Sequence, residues 1–224
     1  NSHGIFEIVI HAVLEAFDVE NVVLATTTSV GDDVLAEIAQ RNGIRVFRGS
    51  ENDVLQRFVD CAHEFNFTHL LRVCADNPFL RPEYLQQLAV EYMQIPADYV
   101  SFAFPDGTPT IRSHIGLFGE MVALSALRRA SEMTQEPFYH EHVTNFIYGN
   151  PEVFDVRYVP LPAIVRERSD IRLTVDTADD FEMAATLFSE LQSNENTTEE
   201  LIALIDHHPE MLLRMKKLIN TYVK

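Results

Sequence analysis

An α/β fold, with a largely parallel sheet covered by helices on both faces, is what this 224-residue sequence predicts. Three observations carry the prediction. Helix-periodic segments alternate with short apolar runs; those runs are continuous rather than alternating; and clusters of polar residues fall just after the runs. Continuous hydrophobicity marks strands buried on both faces, and their alternation with amphipathic helices marks a parallel sheet.

The elements follow in order. Ile5, Phe6, Val9, Ile10, Val13, Leu14 and Phe17 have helical spacing, and NVVLAT at 21–26 reads as the first strand. Residues 32–41 form a helix with Val34, Leu35, Ile38 and Ala39 on one face; Gly43 ends it and IRVF at 44–47 is the next strand. A helix over 53–65 leads to the strand HLLRVC at 69–74, and Pro82 opens a helix before the strand DYVSFAF at 98–104. The segment PDGTPTIRSHIG at 105–116 is rich in turn formers; a strand then runs toward Val122, and Ser125 caps a helix through Met133. A short helix is expected over 138–148, strands at 154–160 and 171–175, and three helices beyond Ala178, with 193–224 as a C-terminal helical extension of a single domain spanning 1–224.

Composition narrows the function classes. With 46% apolar residues the chain can bury a sizeable core. A formal charge of −17, from 34 acidic and 17 basic residues, repels a phosphodiester backbone and argues against a nucleic-acid partner. A small polyphosphate needs only a few local cations, so a nucleotide substrate stays open. No apolar run reaches spanning length and no secretory signal is visible, so no membrane partner is expected and the cytoplasm is the expected compartment. Cys61 and Cys74 sit among apolar neighbours and read as two buried thiols.

In open α/β sheets ligands bind outside the carboxyl ends of the strands. TTTS at 26–29, FRGSEND at 47–53, CADNP at 74–78 and VDTADD at 175–180 occupy such positions. Asp76 and Asp176 each terminate a strand, and two carboxylates with substrate phosphates suit Mg²⁺. The plainer alternative makes Asp76 a turn residue and Asp176 or Thr177 a helix cap. Arg72, four residues before Asp76, either assists there or balances its charge. Arg48 can meet a phosphate and Gly49 permits close backbone approach, while Ser50 or Asn52 caps the 53–65 helix with Glu51 and Asp53 favouring its dipole. His140, Glu141 and His142 do not share one helix face and match no zinc spacing. No serine lies in a GxSxG context, so serine-hydrolase chemistry is not supported.

Five segments together, FRGSENDVLQRF (47–58), RVCADNPFLRPE (72–83), DYVSF (98–102), EHVTNFIY (141–148) and IRLTVDTADDFE (171–182), resemble the cytidylyltransferases of spore-coat polysaccharide biosynthesis, relatives of the CMP-sialic acid and CMP-octulosonic acid synthetases. The resemblance implies a Rossmann-like three-layer nucleotide-sugar-transferase fold, a mixed, mostly parallel sheet with one antiparallel element, and in many members a homodimer. It implies that Asp76 and Asp176 are the metal aspartates holding Mg²⁺, and that Arg48, Ser50, Asn52 and Asp53 form the nucleotide-side loop. Glu141 and His142 fall in a segment for substrate contact or a subunit interface. Asp106, in the individual stretch 105–120, is expected on the sugar side. Family members open with a strand and a GSTRLPGK-type phosphate loop, and the sequence that starts at Asn1 opens beyond both. The implied reaction is transfer of CMP from CTP to a sugar or sugar acid, with a nucleotide-sugar-dependent glycosyltransferase or a non-catalytic nucleotide- or sugar-binding module as alternatives.

Overall fold

The computed structural model describes residues 4–191 and 196–222. Helix α1 (Ile5–Ala16) leads into strand β1 (Val23–Thr27), α2 (Asp33–Arg41) into β2 (Arg45–Gly49), and α3 (Val54–Glu64) into β3 (His69–Arg72). Then follow α4 (Pro82–Gln94), β4 (Tyr99–Ala103), β5 (Glu120–Ala123) and α5 (Leu124–Met133). Two short helices, α6 (Pro137–Glu141) and α7 (Asn145–Tyr148), precede β6 (Val156–Pro160), and α8 (Ala178–Glu190), α9 (Thr198–Asp206) and α10 (Pro209–Thr221) complete the chain.

The strands form a parallel pair, β1 with β2, and a four-stranded sheet of order β3-β5-β4-β6. In the latter β5 runs antiparallel to β3 and β4, whereas β6 is parallel to β4, so β3, β4 and β6 share one direction and β5 is the single reversed strand. Side chains leave successive strand positions on opposite faces. Val100, Phe102 and Met121 accordingly meet α4 and the C-terminal helices, while Tyr99 and Val122 meet α3 and α5. Three layers result. Helix α1 spans the two sheets on one side: Val9 packs on Leu80 and Leu85, and Ile10 on Ala39 and Ile44. Leu201, Ile202 and Ile205 of α9 and Met211 and Met215 of α10 belong to the same core as α4 and β4.

Three local expectations are corrected. IRLTV at 171–175 is extended but joins no ladder; its amides bond loop carbonyls instead, Leu173 N–H to His114 O (2.7 Å) and Val175 N–H to Asp76 O (2.9 Å). Ser125 does not cap α5, which begins at Leu124 after Ala123. The 138–148 helix breaks into α6 and α7, because Val143 and Thr144 turn inward between them. The long helices end as their residues dictate: Asp53 caps α3 by accepting from Gln56 N–H, and Thr177 and Asp180 form a reciprocal box at α8. Among the described residues no helix is long and apolar enough to cross a membrane.

Candidate active site

At the carboxyl ends of β1 and β2 the polar residues bond chiefly to one another. One oxygen of Asp32, Oδ2, accepts from Thr26 Oγ1 (2.6 Å), Thr27 Oγ1 (2.6 Å) and Thr27 N–H (3.0 Å). The hydrogen bonds from Thr26 and then Thr27 hold its carboxyl below the ordinary carboxylate range. Arg48 fastens the end of β2 to this turn, donating to Thr27 O (2.7 Å), Ser29 O (2.6 Å) and Asp33 Oδ1 (2.5 Å). Ser50 Oγ accepts from Asp53 N–H (3.0 Å), so Asp53 rather than Ser50 or Asn52 is the cap of α3; Asn52 is exposed beside them. Gly49 is explained by its own chain. A Cβ there would lie 2.8 Å from Phe47 Cε1 and 3.0 Å from Arg57 Cγ.

The HEH segment reaches this loop through its first histidine. His140 donates Nδ1–H to Asp53 Oδ1 (2.8 Å) and Nε2–H to Thr134 O (3.0 Å), a pair of bonds only the imidazolium can make. Its pKa is raised, first by the Thr134 carbonyl and next by Asp53. Glu141 and His142 are exposed, and the His142 ring packs edge-on against Phe138 at 4.7 Å. A raised histidine contributes stability fully present below its ordinary value of 6.5 and lost as pH climbs through the folded value. The stability difference between wild type and His140→Leu in urea unfolding is therefore expected to be largest near pH 6 and to shrink by pH 8.5.

The third cluster holds the two aspartates. Asp76 lies in the turn after β3, and the bond from Val175 N–H to its carbonyl sets it beside the residue that precedes Asp176. Asp176 Oδ2 accepts from Thr174 Oγ1 (2.8 Å) and from Arg172 Nη2 (2.9 Å). Gly116 makes this approach possible: its φ is +63°, and a Cβ would stand 3.0 Å from the Leu173 backbone. Asp76, Asn77, Thr174, Arg72 and Glu120 all line one small cleft. Cys74, half-buried, lines it too, while Cys61 is buried and its thiol is pushed up to about 11 by that burial; neither is in a disulfide.

Within this cleft Arg72 is bound to Glu120, at 2.5 Å. Burial works against the charge on Arg72, but Cys74 and Glu120 more than offset it and the guanidinium stays cationic. Glu120, 1% exposed, also accepts from Tyr99 OH (2.7 Å) and Thr144 Oγ1 (3.1 Å). Arg172 is wholly buried and forks onto Asp180 through Nε (2.7 Å) and Nη2 (2.8 Å). Burial by itself would raise the Asp180 carboxyl; the bonds from Arg172 and Thr177 outweigh it and hold it low.

Asp106 stands apart from this cleft. It is exposed, accepts from Thr108 N–H (2.9 Å), and borders an open groove of about 420 Å³ with Arg112, His114 and Arg166. Segment 110–114 is the wall between groove and cleft, since Thr110 and Ile111 line the cleft, Arg112 and His114 the groove, and Ser113 both.

A two-carboxylate cluster suits a hard divalent cation that keeps water and phosphate oxygens in its shell. Among the described residues no three His, Cys, Asp or Glu side chains gather into a closed metal cage. Asp76 and Asp176 supply the kind of oxygen donor that a Mg²⁺ completed by phosphate and water would use.

Residues 1–207 match the family described as cytidylyltransferase. The chain belongs to that family. It is 32% identical over 215 residues to the spore coat polysaccharide biosynthesis protein SpsF of Bacillus subtilis, covering 93% of this chain and 86% of that protein. A cytidylyltransferase structure from Leptospira borgpetersenii superposes with a TM-score of 0.84 at 28% identity, over 95% of this chain and 87% of that one. A CMP:2-keto-3-deoxy-manno-octonic acid synthetase in complex with CTP shares the fold, with a TM-score of 0.57 at 15% identity over 83% and 87% of the two chains. The Rossmann-like nucleotidyltransferase fold expected from the sequence is thus the fold of this cytidylyltransferase, with β5 as its antiparallel element.

Glu120, Arg172, Asp180 and Asp32 are charged residues bonded around the candidate site that the motif reading did not single out. Arg72 and Glu120 carried a signal: each is a lone charge in an apolar run, and the β3–β5 register pairs them directly. Arg172, alone in IRLTV, carried the same one.

Proposed function

We propose that the protein transfers CMP from CTP to a hydroxyl of a sugar or sugar acid, in the biosynthesis of a surface polysaccharide or glycoconjugate. The observation that carries this reading is the hydrogen bond from Val175 N–H to the Asp76 carbonyl, which brings the Asp76 turn, on the wall of the cleft, beside the segment that carries Asp176. Membership of the cytidylyltransferase family and the likeness to SpsF support the nucleotide and the pathway. The acceptor oxygen forms a bond to the α-phosphorus, the bond from that phosphorus to the bridging oxygen breaks, pyrophosphate leaves, and the hydroxyl proton passes to solvent or product. Mg²⁺, when bound, neutralises charge on the phosphate oxygens. Asp76 and Asp176 hold it, and Thr174 and Arg172 keep Asp176 turned as the structure has it. Arg72, neutralised by Glu120, acts as a fixed wall of the cleft. Arg48, Ser50 and Asp53 shape the nucleotide side by holding the loops that follow β1 and β2, and Asn52 is exposed there to meet the nucleotide.

The test is pyrophosphate release in Mg²⁺ with each of CTP, UTP, GTP and ATP against a panel of neutral sugars and 2-keto sugar acids. Release with CTP and one class of acceptor is expected. Thermal stabilisation by CMP-sugars without any release would instead make the protein a binding module.

A further inference from the structure

Arg172 is the most heavily engaged buried charge near the cleft, and it has no exposure through which to touch a substrate. Its five donors are spent in three directions. Nε and Nη2 fork onto both oxygens of Asp180. Nη2 also reaches Asp176 Oδ2, at 2.9 Å. Nη1 lies 2.7 Å from Nδ1 of His114. Since a guanidinium only donates, that ring nitrogen accepts, and His114 is the neutral tautomer with its proton on Nε2. That proton is directed at the Tyr222 carbonyl, 2.6 Å away in the turn that ends α10. His114 Nδ1 is 3.8 Å from Asp176 Oδ2, but with Nδ1 accepting from Arg172 this is no ion pair.

The other end of the arrangement is equally fixed. Asp180 Oδ2 accepts the amides of Asp176 (3.1 Å) and Thr177 (2.9 Å), so one carboxylate clamps the backbone of the residue whose side chain Arg172 holds. One buried ion pair thereby holds both the backbone and the carboxylate of Asp176, with Thr174 Oγ1 as a second donor to the carboxylate.

We infer that Arg172 is the positioning residue for Asp176, locked by Asp180 and His114, and that His114 ties this lock to the last turn of α10. The inference rests on the reading of Asp176 as a cation ligand. Partners behind a ligating carboxylate commonly change metal affinity 10- to 100-fold when removed.

The experiment uses Mn²⁺ alone, whose paramagnetism broadens nearby amide resonances in NMR. In wild type, broadening centred on Asp76 and Asp176 is expected. In Arg172→Lys, which keeps the charge and loses the fork, broadening at saturating Mn²⁺ should still centre on Asp76 and Asp176 while the apparent Kd of the site rises about tenfold. Should that variant fail to fold, Thr174→Val removes the other donor to the same oxygen, and a rise of about threefold is expected, with His114→Asn as a second gentle perturbation of the lock. An unchanged Kd in folded Arg172→Lys, or in Thr174→Val and His114→Asn together, overturns the inference while leaving Asp176 as a ligand. Wild-type chain with no broadening at either aspartate overturns the metal reading, and the inference with it.

Discussion

Asp176→Asn is expected to lower pyrophosphate release from CTP by about 10³-fold, close to 4 kcal/mol of transition-state stabilisation. A Lewis-acidic cation on a phosphoryl group contributes several kcal/mol, and a neutral amide is a poor substitute for the carboxylate that would hold it. The substitution is gentle to the fold. Asparagine keeps the volume and a carbonyl oxygen, so Thr174 Oγ1 and Arg172 Nη2 retain an acceptor at Oδ1. Asp76→Asn is expected to act in the same direction, because the Asp76 main-chain carbonyl that receives Val175 N–H is untouched. Initial rates at saturating CTP, across a Mg²⁺ titration, make the measurement. Folded Asn variants with wild-type rates would remove both residues from the metal role.

The largest stability effect is expected at Arg72. Arg72→Met leaves the buried Glu120 carboxyl with only Tyr99 and Thr144 as donors. Breaking a buried pair by removing one partner costs about 3–5 kcal/mol. For a chain of this size that corresponds to a fall in Tm of roughly 6–20 °C. Arg72→Met combined with Glu120→Leu should recover most of the loss, since an apolar pair carries no stranded charge. Calorimetry of the single and double variants decides it. A double variant as unstable as the single one would show that the pair's hydrogen bonds to Tyr99 and Thr144, rather than its charge, hold β3, β4 and β5 in place.

The elements were legible because their periodicity is set by burial. Continuous apolar runs gave the strands from β1 to β4, Pro82 gave the start of α4, and Thr177 gave the cap of α8. IRLTV shows why the rest was not. Its apolar residues are buried as in a strand, but burial can be met against loop 114–116 as well as within a ladder, and hydropathy does not tell them apart. The site region was legible where one residue type meets one local duty, as with Asp76 in the turn after β3 and Thr177 at the cap of α8. It was hidden where the duty depends on register or on a distant carbonyl. Nothing local to His140 announces Thr134 and Asp53, and nothing local to Arg172 announces His114.

The inward commitment of the arginines sets the terms on which a nucleotide arrives. Arg48, Arg72, Arg129, Arg157, Arg168 and Arg172 are each matched to a carboxylate of the same chain, against a formal charge of −17. The far field that a diffusing polyphosphate meets is repulsive. Screening then works in the opposite sense from that in an enzyme with a basic funnel: capture of an anionic nucleotide quickens as ionic strength rises and the Debye length contracts toward about 8 Å. For this protein, dissolved salt is a help to encounter, and pre-association of the nucleotide with a divalent cation lowers the same barrier before contact is made.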